Sequence, residues 1–287
     1  MDIQELFQDD TKIPSLPEVF YQFKEAIDDP ESSFEEIGEI IGNDPGLTAR
    51  LLKIVNSAFF GFPSKVETIS HAVGIIGREQ LNDLVISTVV MAQFKDIPQS
   101  LIDMRSFWKH SIACGLSARI IASQKRESNP ERFFVAGLLH DIGLIVICNK
   151  LPSLFLNTAL RSKSNKETFH KAEIEEMGFN HADVGGFLLK TWELPKVFEE
   201  AVKFHHNPAN ATQFSLEASV VHIADVLADD FHSLKLGHNT EVSPTHPHLN
   251  EDALKYIDLP DDTYLSTIRI LMEKEFEQTA EIFLQTA

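Results

Sequence analysis

The sequence predicts an all-α protein built from many helices. Apolar residues recur three and four positions apart along most of the chain, as they do on the buried face of a helix. Runs that alternate apolar and polar residues between turn signals, which would predict strands, are almost absent. With 287 residues, 43% of them hydrophobic, the chain can bury a large core, as one helical body or as two packed subdomains.

The N-terminal third supplies the first predicted helices. A helix that begins at Phe34 ends at Asn43-Asp44-Pro45, where the proline can start the next helix without wasting an amide hydrogen. That next helix ends at Asn56-Ser57, and the helical periodicity then continues between residues 68 and 88. Asn56-Ser57 is interpreted as a helix stop, although two hydrogen-bonding side chains at a helix end could also face a ligand.

The helical pattern is interrupted twice. Residues 95–99 break it before a long helix across residues 107–123, and residues 236–248 break it again before a final helix that reaches Phe283. These breaks predict three parts, residues 1–95, 96–235 and 236–287. Four histidines in or beside the second break are interpreted as an exposed loop rather than as a metal tract: His232, His238, His246 and His248.

The charge of the chain limits its partners and location. The formal net charge is −18 and is spread along the sequence, which argues against nucleic acid as a partner. An anionic small substrate would need a local positive centre, which a metal could supply. The acidic N-terminus lacks a signal-peptide pattern, and no uninterrupted apolar stretch is long enough to span a bilayer, so we expect a cytoplasmic protein without a membrane partner. Cys114 and Cys148 lack CxxC spacing and are expected to be reduced packing residues.

The adjacent pair His140-Asp141 is the strongest functional signal. It follows the apolar run of residues 133–139, and an imidazole and a carboxylate held in a hydrophobic layer are costly unless something compensates their polarity. Both groups are good ligands for a divalent cation. The two side chains point about 100° apart around a helix, so they can flank one ion, or the carboxylate can bridge two. Gly137 and Gly143 allow another helix to come close.

Two single histidines are candidate partners of this pair. His110 lies on the apolar stripe of its predicted helix, so its ring is expected to point toward the core. His181 lies near a helix start, four residues before Gly185 on the same face. A close helix crossing at that glycine would aim the His181 ring inward.

The remaining candidates lie further along the chain. His205-His206 end a predicted helix before Pro208, and we expect one of the two to coordinate an ion while the other touches substrate or solvent. His222 and Asp225 lie three positions apart and therefore on one helix face.

Four motifs resemble the HDOD domain, a bacterial relative of the HD metal-dependent phosphohydrolases. They are Ile13-Pro14-Ser15-Leu16-Pro17, residues 44–52 with Asn56-Ser57-Ala58, Ile69-Ser70-His71-Ala72 through Gly77, and residues 136–143. The resemblance covers about residues 6 to 230. It implies a multi-helix HD-type bundle with an N-terminal helical subdomain and a role in bacterial signalling, and it leaves the C-terminal helices unassigned.

The same resemblance implies a metal site with catalytic potential. The candidate ligands follow the order of HD phosphohydrolases that hold two metals: His110, His140, Asp141, His181, His205 or His206, and Asp225. His140 and Asp141 would also be the catalytic residues. Mixed nitrogen and oxygen ligands favour iron or manganese, as one or two ions, with zinc and nickel as alternatives.

Departures from the family pattern leave two function classes open. Relatives that cleave cyclic dinucleotides carry a lysine where this chain has Leu144, and a Gly-Tyr-Pro motif where it has Asn207-Pro208-Ala209-Asn210. Lys109, Arg119 and Lys203 are the nearest basic residues in sequence, and we interpret them as surface charge. One class is a signalling domain that binds a protein partner or a small regulator. The other is a metal-dependent phosphohydrolase acting on a nucleotide or another phosphoester.

Overall fold

A computed structural model of the chain describes residues 2–7, 15–94, 102–165, 168–231, 249–257 and 262–285. These residues form helices and no strand, which confirms the predicted all-α class. Some predicted features lie outside the described residues: Ile13-Pro14, the breaks at residues 95–99 and 236–248, and the four loop histidines.

The helices group into two compact units. The smaller unit comprises residues 15–95 and 274–287, and the larger unit comprises residues 1–14 and 96–273. The elements in chain order are α1 (Ile3–Phe7), α2 (Glu18–Asp28), α3 (Phe34–Gly42), α4 (Pro45–Val55), α5 (Ile69–Ile76), α6 (Arg78–Gln93), α7 (Met104–Gln124), α8 (Pro130–Leu139), α9 (Ile142–Lys150), α10 (Pro152–Asn165), α11 (Phe169–Met177), α12 (His181–Thr191), α13 (Lys196–Phe204), a 3-10 turn (Pro208–Asn210), α14 (Ser215–Phe231), α15 (Glu251–Ile257) and α16 (Asp262–Leu284).

Side-chain caps fix where the helices of the smaller unit begin. Ser33 Oγ accepts the Glu36 N–H at 3.1 Å, and Asp44 Oδ1 accepts the Leu47 N–H at 2.9 Å. Gly77 joins α5 to α6 with a φ of +86°, a backbone conformation that favours glycine. The helix boundaries predicted around these residues are therefore set by local sequence.

Asn56 closes the loop that follows α4. Its side-chain amide donates to the carbonyl oxygens of Leu52 at 2.8 Å and Val66 at 2.7 Å, and its Oδ1 accepts the Val66 N–H at 2.7 Å. Ser57 Oγ donates to the carbonyl oxygen of Ile54 at 2.6 Å. Because both side chains bind the backbone, they support the interpretation as a helix stop rather than as a ligand-facing pair.

Close helix crossings organise the larger unit, in which α7 packs on α8 and α14, and α12 packs on α9 and α13. A Cβ atom on Gly137 would lie 2.9 Å from the backbone of Gly115. A Cβ atom on Gly143 would lie 2.6 Å from the backbone nitrogen of Gly185, and closer still to the carbonyl oxygen of His181. Both predictions of close approach at these glycines are confirmed.

One described stretch, Pro130–Lys150, is long and apolar enough to cross a membrane by length and composition. We expected no uninterrupted apolar stretch of this length, and this one is interrupted by the polar pair His140-Asp141. In the fold it forms α8 and α9, and 89% of the window that meets this test is buried inside the protein. A buried core helix has the same length and composition as a membrane span, so the stretch is weak evidence for one.

Candidate metal centre

The predicted ligands come from five places in the larger unit. They are His110 on α7, His140 and Asp141 between α8 and α9, His181 at the first position of α12, His205 and His206 directly after α13, and Asp225 on α14. All except the half-buried His206 are buried, with exposed fractions of 7% or less. The fold thus brings together residues that are up to 115 positions apart, from 110 to 225.

Asp141 lies at the middle of the cluster. Its Oδ2 atom is 3.2 Å from His140 Nε2 and 3.9 Å from His110 Nε2. Its Oδ1 atom is 3.2 Å from His181 Nε2 and 3.9 Å from His205 Nε2. The two oxygens of one carboxylate therefore face two different groups of imidazoles, which is the arrangement of a carboxylate that can bridge two ions.

Each group contains at least three potential ligands. In the first group, Asp225 Oδ1 lies 3.2 Å from His110 Nε2 and 3.3 Å from His140 Nε2. In the second group, His181, His205 and His206 each have a ring nitrogen within 4.8 Å of those of the other two. The Nε2 atoms of His181 and His206 are 2.8 Å apart. Both paired histidines lie in the second group, whereas the sequence left open which of them would coordinate.

Three rings of the cluster leave a buried nitrogen without a hydrogen bond, namely Nε2 of His140 and of His205 and Nδ1 of His206. His140 Nδ1 donates to the Gly137 carbonyl oxygen at 2.8 Å, and His205 Nδ1 donates to the Val202 carbonyl oxygen at 2.7 Å, because a carbonyl oxygen can only accept. Their Nε2 atoms have no hydrogen-bond partner, and a buried polar atom without a partner is costly. A divalent ion bound to an imidazole through Nε2 would replace any proton on that atom and give it the partner it lacks, so the residues present fit a metal.

Burial and neighbouring charges shift the pKa values of the cluster residues in different directions. Burial lowers the pKa of His181, but the carboxylates of Glu173 and Asp141 outweigh it and raise this pKa to about 10. Burial and the charged rings of His140 and His181 together lower the pKa of His205 to about 3. Burial also disfavours the Asp141 carboxylate, yet the His140 ring holds the pKa of that carboxyl well below its usual range. Protons and a metal ion therefore compete for some of the same nitrogen atoms.

His222 does not face the cluster, although it lies one turn from Asp225. Its Nδ1 atom donates to the His205 carbonyl oxygen at 2.7 Å, and its Nε2 atom accepts the Asn250 N–H at 2.9 Å. Both ring nitrogens bind the backbone, so His222 supports the segment that carries the paired histidines.

Three residues beside the cluster had no motif in the sequence. They are Glu173 at His181, Asp229 at His110, and His170, which stacks on His206 with ring centroids 4.1 Å apart. The only available signal was that Asp229 follows Asp225 by one helical turn. Glu173 and His170 belong to α11, whose polar residues carry no distinctive spacing.

Two of the basic residues and one departure from the family pattern, Leu144, have defined surroundings. Arg119 Nε lies 3.5 Å from Glu131 Oε1, and the exposed Lys203 places its ammonium 5.3 Å from the centre of the Phe204 ring. Leu144, which replaces a lysine of the cyclic-dinucleotide enzymes, is buried in the core with 2% of its surface exposed.

Comparison with known proteins relates this arrangement to a family. The HDOD domain family matches residues 13–208 of the chain. An uncharacterised protein of Treponema pallidum (strain Nichols) is 28% identical over 204 residues, a match that covers 70% of this chain and 39% of the relative. The chain therefore accounts for less than half of the length of that relative.

Solved structures have the same fold over nearly the whole chain. An HDOD domain protein of unknown function from Geobacter sulfurreducens has a TM-score of 0.75 at 22% identity, covering 99% of this chain and 97% of its own. A candidate phosphohydrolase from Shewanella amazonensis SB2B has a TM-score of 0.74 at 23% identity, covering 98% of each chain. At these identities the likeness establishes the fold. Because the HDOD family match spans residues 13–208, more than half of this chain, the chain belongs to the HDOD domain family.

Proposed function

We propose that the chain is a bacterial HDOD signalling domain whose larger unit holds a divalent metal centre, with iron or manganese as the favoured ion. One observation carries the proposal. Imidazoles and carboxylates from five helical segments converge, and the Nε2 atoms of His140 and His205 are buried without a hydrogen-bond partner. Neutral imidazole and carboxylate in one site suit iron and manganese, with zinc and nickel as alternatives.

The proposed ligand set divides into two groups that share Asp141. His110, His140 and Asp225 would bind on one side, and His181, His205 and His206 on the other. Each Nδ1–H that donates to a carbonyl oxygen fixes its ring, so the ligating Nε2 atoms are held in place before an ion arrives.

A regulatory role is favoured because the phosphate-contacting features of the enzymes are replaced. Leu144 is an apolar core residue, and Asn207 begins a short turn where the cyclic-dinucleotide enzymes carry their second motif. In this role the metal centre holds α7, α8, α12, α13 and α14 together, and the domain acts by binding a protein partner or a small regulator.

A second candidate function is a metal-dependent phosphohydrolase acting on a nucleotide or another phosphoester. The two oxygens of Asp141 face separate groups of imidazoles, which favours the two-ion arrangement used in phosphoester hydrolysis. Divalent ions would supply positive charge that polarises a phosphoryl oxygen. The half-buried His206 lies at the edge of the cluster, where a ligand could reach it.

Metal content tests the first proposal. Protein purified without chelator should contain at least one transition-metal ion per chain by elemental analysis, and Asp141→Ala should lose most of it because both groups share that carboxylate. His71→Ala, which removes an exposed histidine of α5, should keep the metal content of the wild type. Metal-free wild-type protein whose melting temperature is unchanged by added Mn²⁺ or Fe²⁺ would refute the proposal.

Turnover tests the second candidate. A panel of nucleotides and phosphodiesters is incubated with the protein and added Mn²⁺ or Fe²⁺, and the same panel is run with His140→Ala and Asp141→Ala. Hydrolysis that is lost in both variants supports the enzyme. Activity that persists in them belongs to a contaminant, and the absence of turnover by metal-loaded protein would count against the phosphohydrolase.

A further inference from the structure

The four buried histidines of the cluster have two kinds of partner at Nδ1. His140 and His205 donate to carbonyl oxygens three residues earlier in the chain. His110 and His181 instead face carboxylates that belong to other helices. One ring of each kind lies in each group of the cluster, His110 and His140 in the first and His181 and His205 in the second.

Glu173 holds His181 from α11. Its Oε2 atom lies 2.5 Å from His181 Nδ1 and also accepts the backbone N–H of His181 at 3.1 Å. The Glu173 side chain is fully buried, with 0% of the residue exposed. A carboxylate is rarely buried so completely unless it is paired, and here it fixes both the ring and the backbone of one candidate ligand.

Asp229 holds His110 from α14. Its Oδ1 atom lies 3.5 Å from His110 Nδ1, while Asp225 Oδ1 lies 3.2 Å from Nε2 of the same ring. The two aspartates are one helical turn apart and face the two nitrogens of one imidazole. Since Asp225 is a proposed ligand, Asp229 is the residue that orients the ring.

We propose that Glu173 and Asp229 are positioning residues of the metal centre, one for each group of ligands. The Glu173 carboxylate accepts the Nδ1–H of His181, and the Asp229 carboxylate, 3.5 Å from Nδ1 of His110, favours a proton on that nitrogen. In both rings the Nε2 atom is then left to face the ion and is a stronger donor. This inference rests on the proposed metal centre. It adds that affinity for the ion depends on two buried carboxylates that do not bind it.

The test compares Mn²⁺ affinity in matched variants. Glu173→Gln and Asp229→Asn keep side-chain size and an acceptor oxygen while removing the charge, so each is expected to bind Mn²⁺ about 10- to 100-fold more weakly. Glu131→Gln changes another buried carboxylate of the larger unit, which pairs with Arg119, and is expected to stay within about twofold of the wild type. Wild-type affinity in both positioning variants would overturn the inference.

A second readout separates this inference from the proposed metal site. Nuclear magnetic resonance of ¹⁵N-histidine-labelled protein without metal should show slowly exchanging Nδ1–H protons for His110 and His181. The His181 proton should exchange faster in Glu173→Gln, and the His110 proton in Asp229→Asn. If wild-type protein binds no Mn²⁺, the proposed site fails. If the ring protons are also unaffected by the substitutions, the positioning role fails as well.

Discussion

Replacing Gly143 by alanine should disrupt the crossing of α9 and α12. The added Cβ atom would lie 2.6 Å from the backbone nitrogen of Gly185 and closer still to the carbonyl oxygen of His181. Both neighbours are backbone atoms, so no side chain can rotate away. Contacts below 3.0 Å essentially never occur, and the Gly185 nitrogen alone requires a separation of 0.4 Å, the difference between 3.0 and 2.6 Å; the closer His181 carbonyl oxygen requires more than that.

That displacement affects stability and metal binding together. Overpacking of this kind costs about 1–3 kcal/mol, which lowers the melting temperature of a domain of this size by roughly 2–12 °C. The shift also exceeds the tolerance of about 0.2 Å in metal–ligand distances, and His181 begins the displaced helix. We therefore expect Gly143→Ala to bind Mn²⁺ at least about tenfold more weakly than the wild type.

Calorimetric melting and Mn²⁺ titration measure both effects. Gly42→Ala is the matched control, because a Cβ atom there meets nothing within 4 Å at the end of α3, and alanine in a helix is neutral or slightly stabilising. If Gly143→Ala melted and bound Mn²⁺ like the Gly42 variant, the close crossing would not be what positions His181.

Three further predictions concern Glu200, His181 and Asn56. Glu200 accepts hydrogen bonds from Thr212, Gln213 and Phe214, which outweigh burial and hold its pKa at about 2 rather than 4.5. Its stabilisation is therefore present above pH 4.5 and is lost as the pH falls through about 2. Glu200→Gln should lose about 1–3 kcal/mol at pH 7 by urea unfolding, and equal loss at pH 2 would contradict this. Because the metal-free pKa of His181 is about 10, Mn²⁺ binding at pH 7 should release at least one proton, measured by calorimetry in buffers of different ionisation enthalpy; zero release would exclude displacement of that proton. Asn56→Ala should destabilise the smaller unit by about 1–3 kcal/mol without changing Mn²⁺ affinity, and weaker Mn²⁺ binding would reopen a ligand role for Asn56.

Local signals explain why much of the fold could be predicted. The starts of α3 and α4 depend on Ser33 and Asp44, whose caps act within three residues of the chain. The close approach at Gly143 was also predictable, because a glycine beside a polar pair in an apolar run indicates a crowded helix crossing. The predicted ligands could be picked out because each has a short motif or a helical stripe around it.

The supporting residues of the cluster could not be predicted in the same way. Glu173 reaches His181 only because α11 folds back beside the start of α12, and its local sequence resembles any polar helix face. His222 shows the same limit of spacing, since it lies on one helix face with Asp225 yet binds the backbone of His205 and Asn250. Such roles depend on tertiary contacts that spacing along the chain does not contain.

Anomalous diffraction from crystals soaked in Mn²⁺ would locate any ion bound by the buried histidines and Asp141. We expect one or two peaks beside Asp141, within coordinating distance of the Nε2 atoms of His140 and His205. Peaks only on surface carboxylates, with the buried imidazoles still hydrogen-bonded to one another or to Asp141, would contradict this expectation.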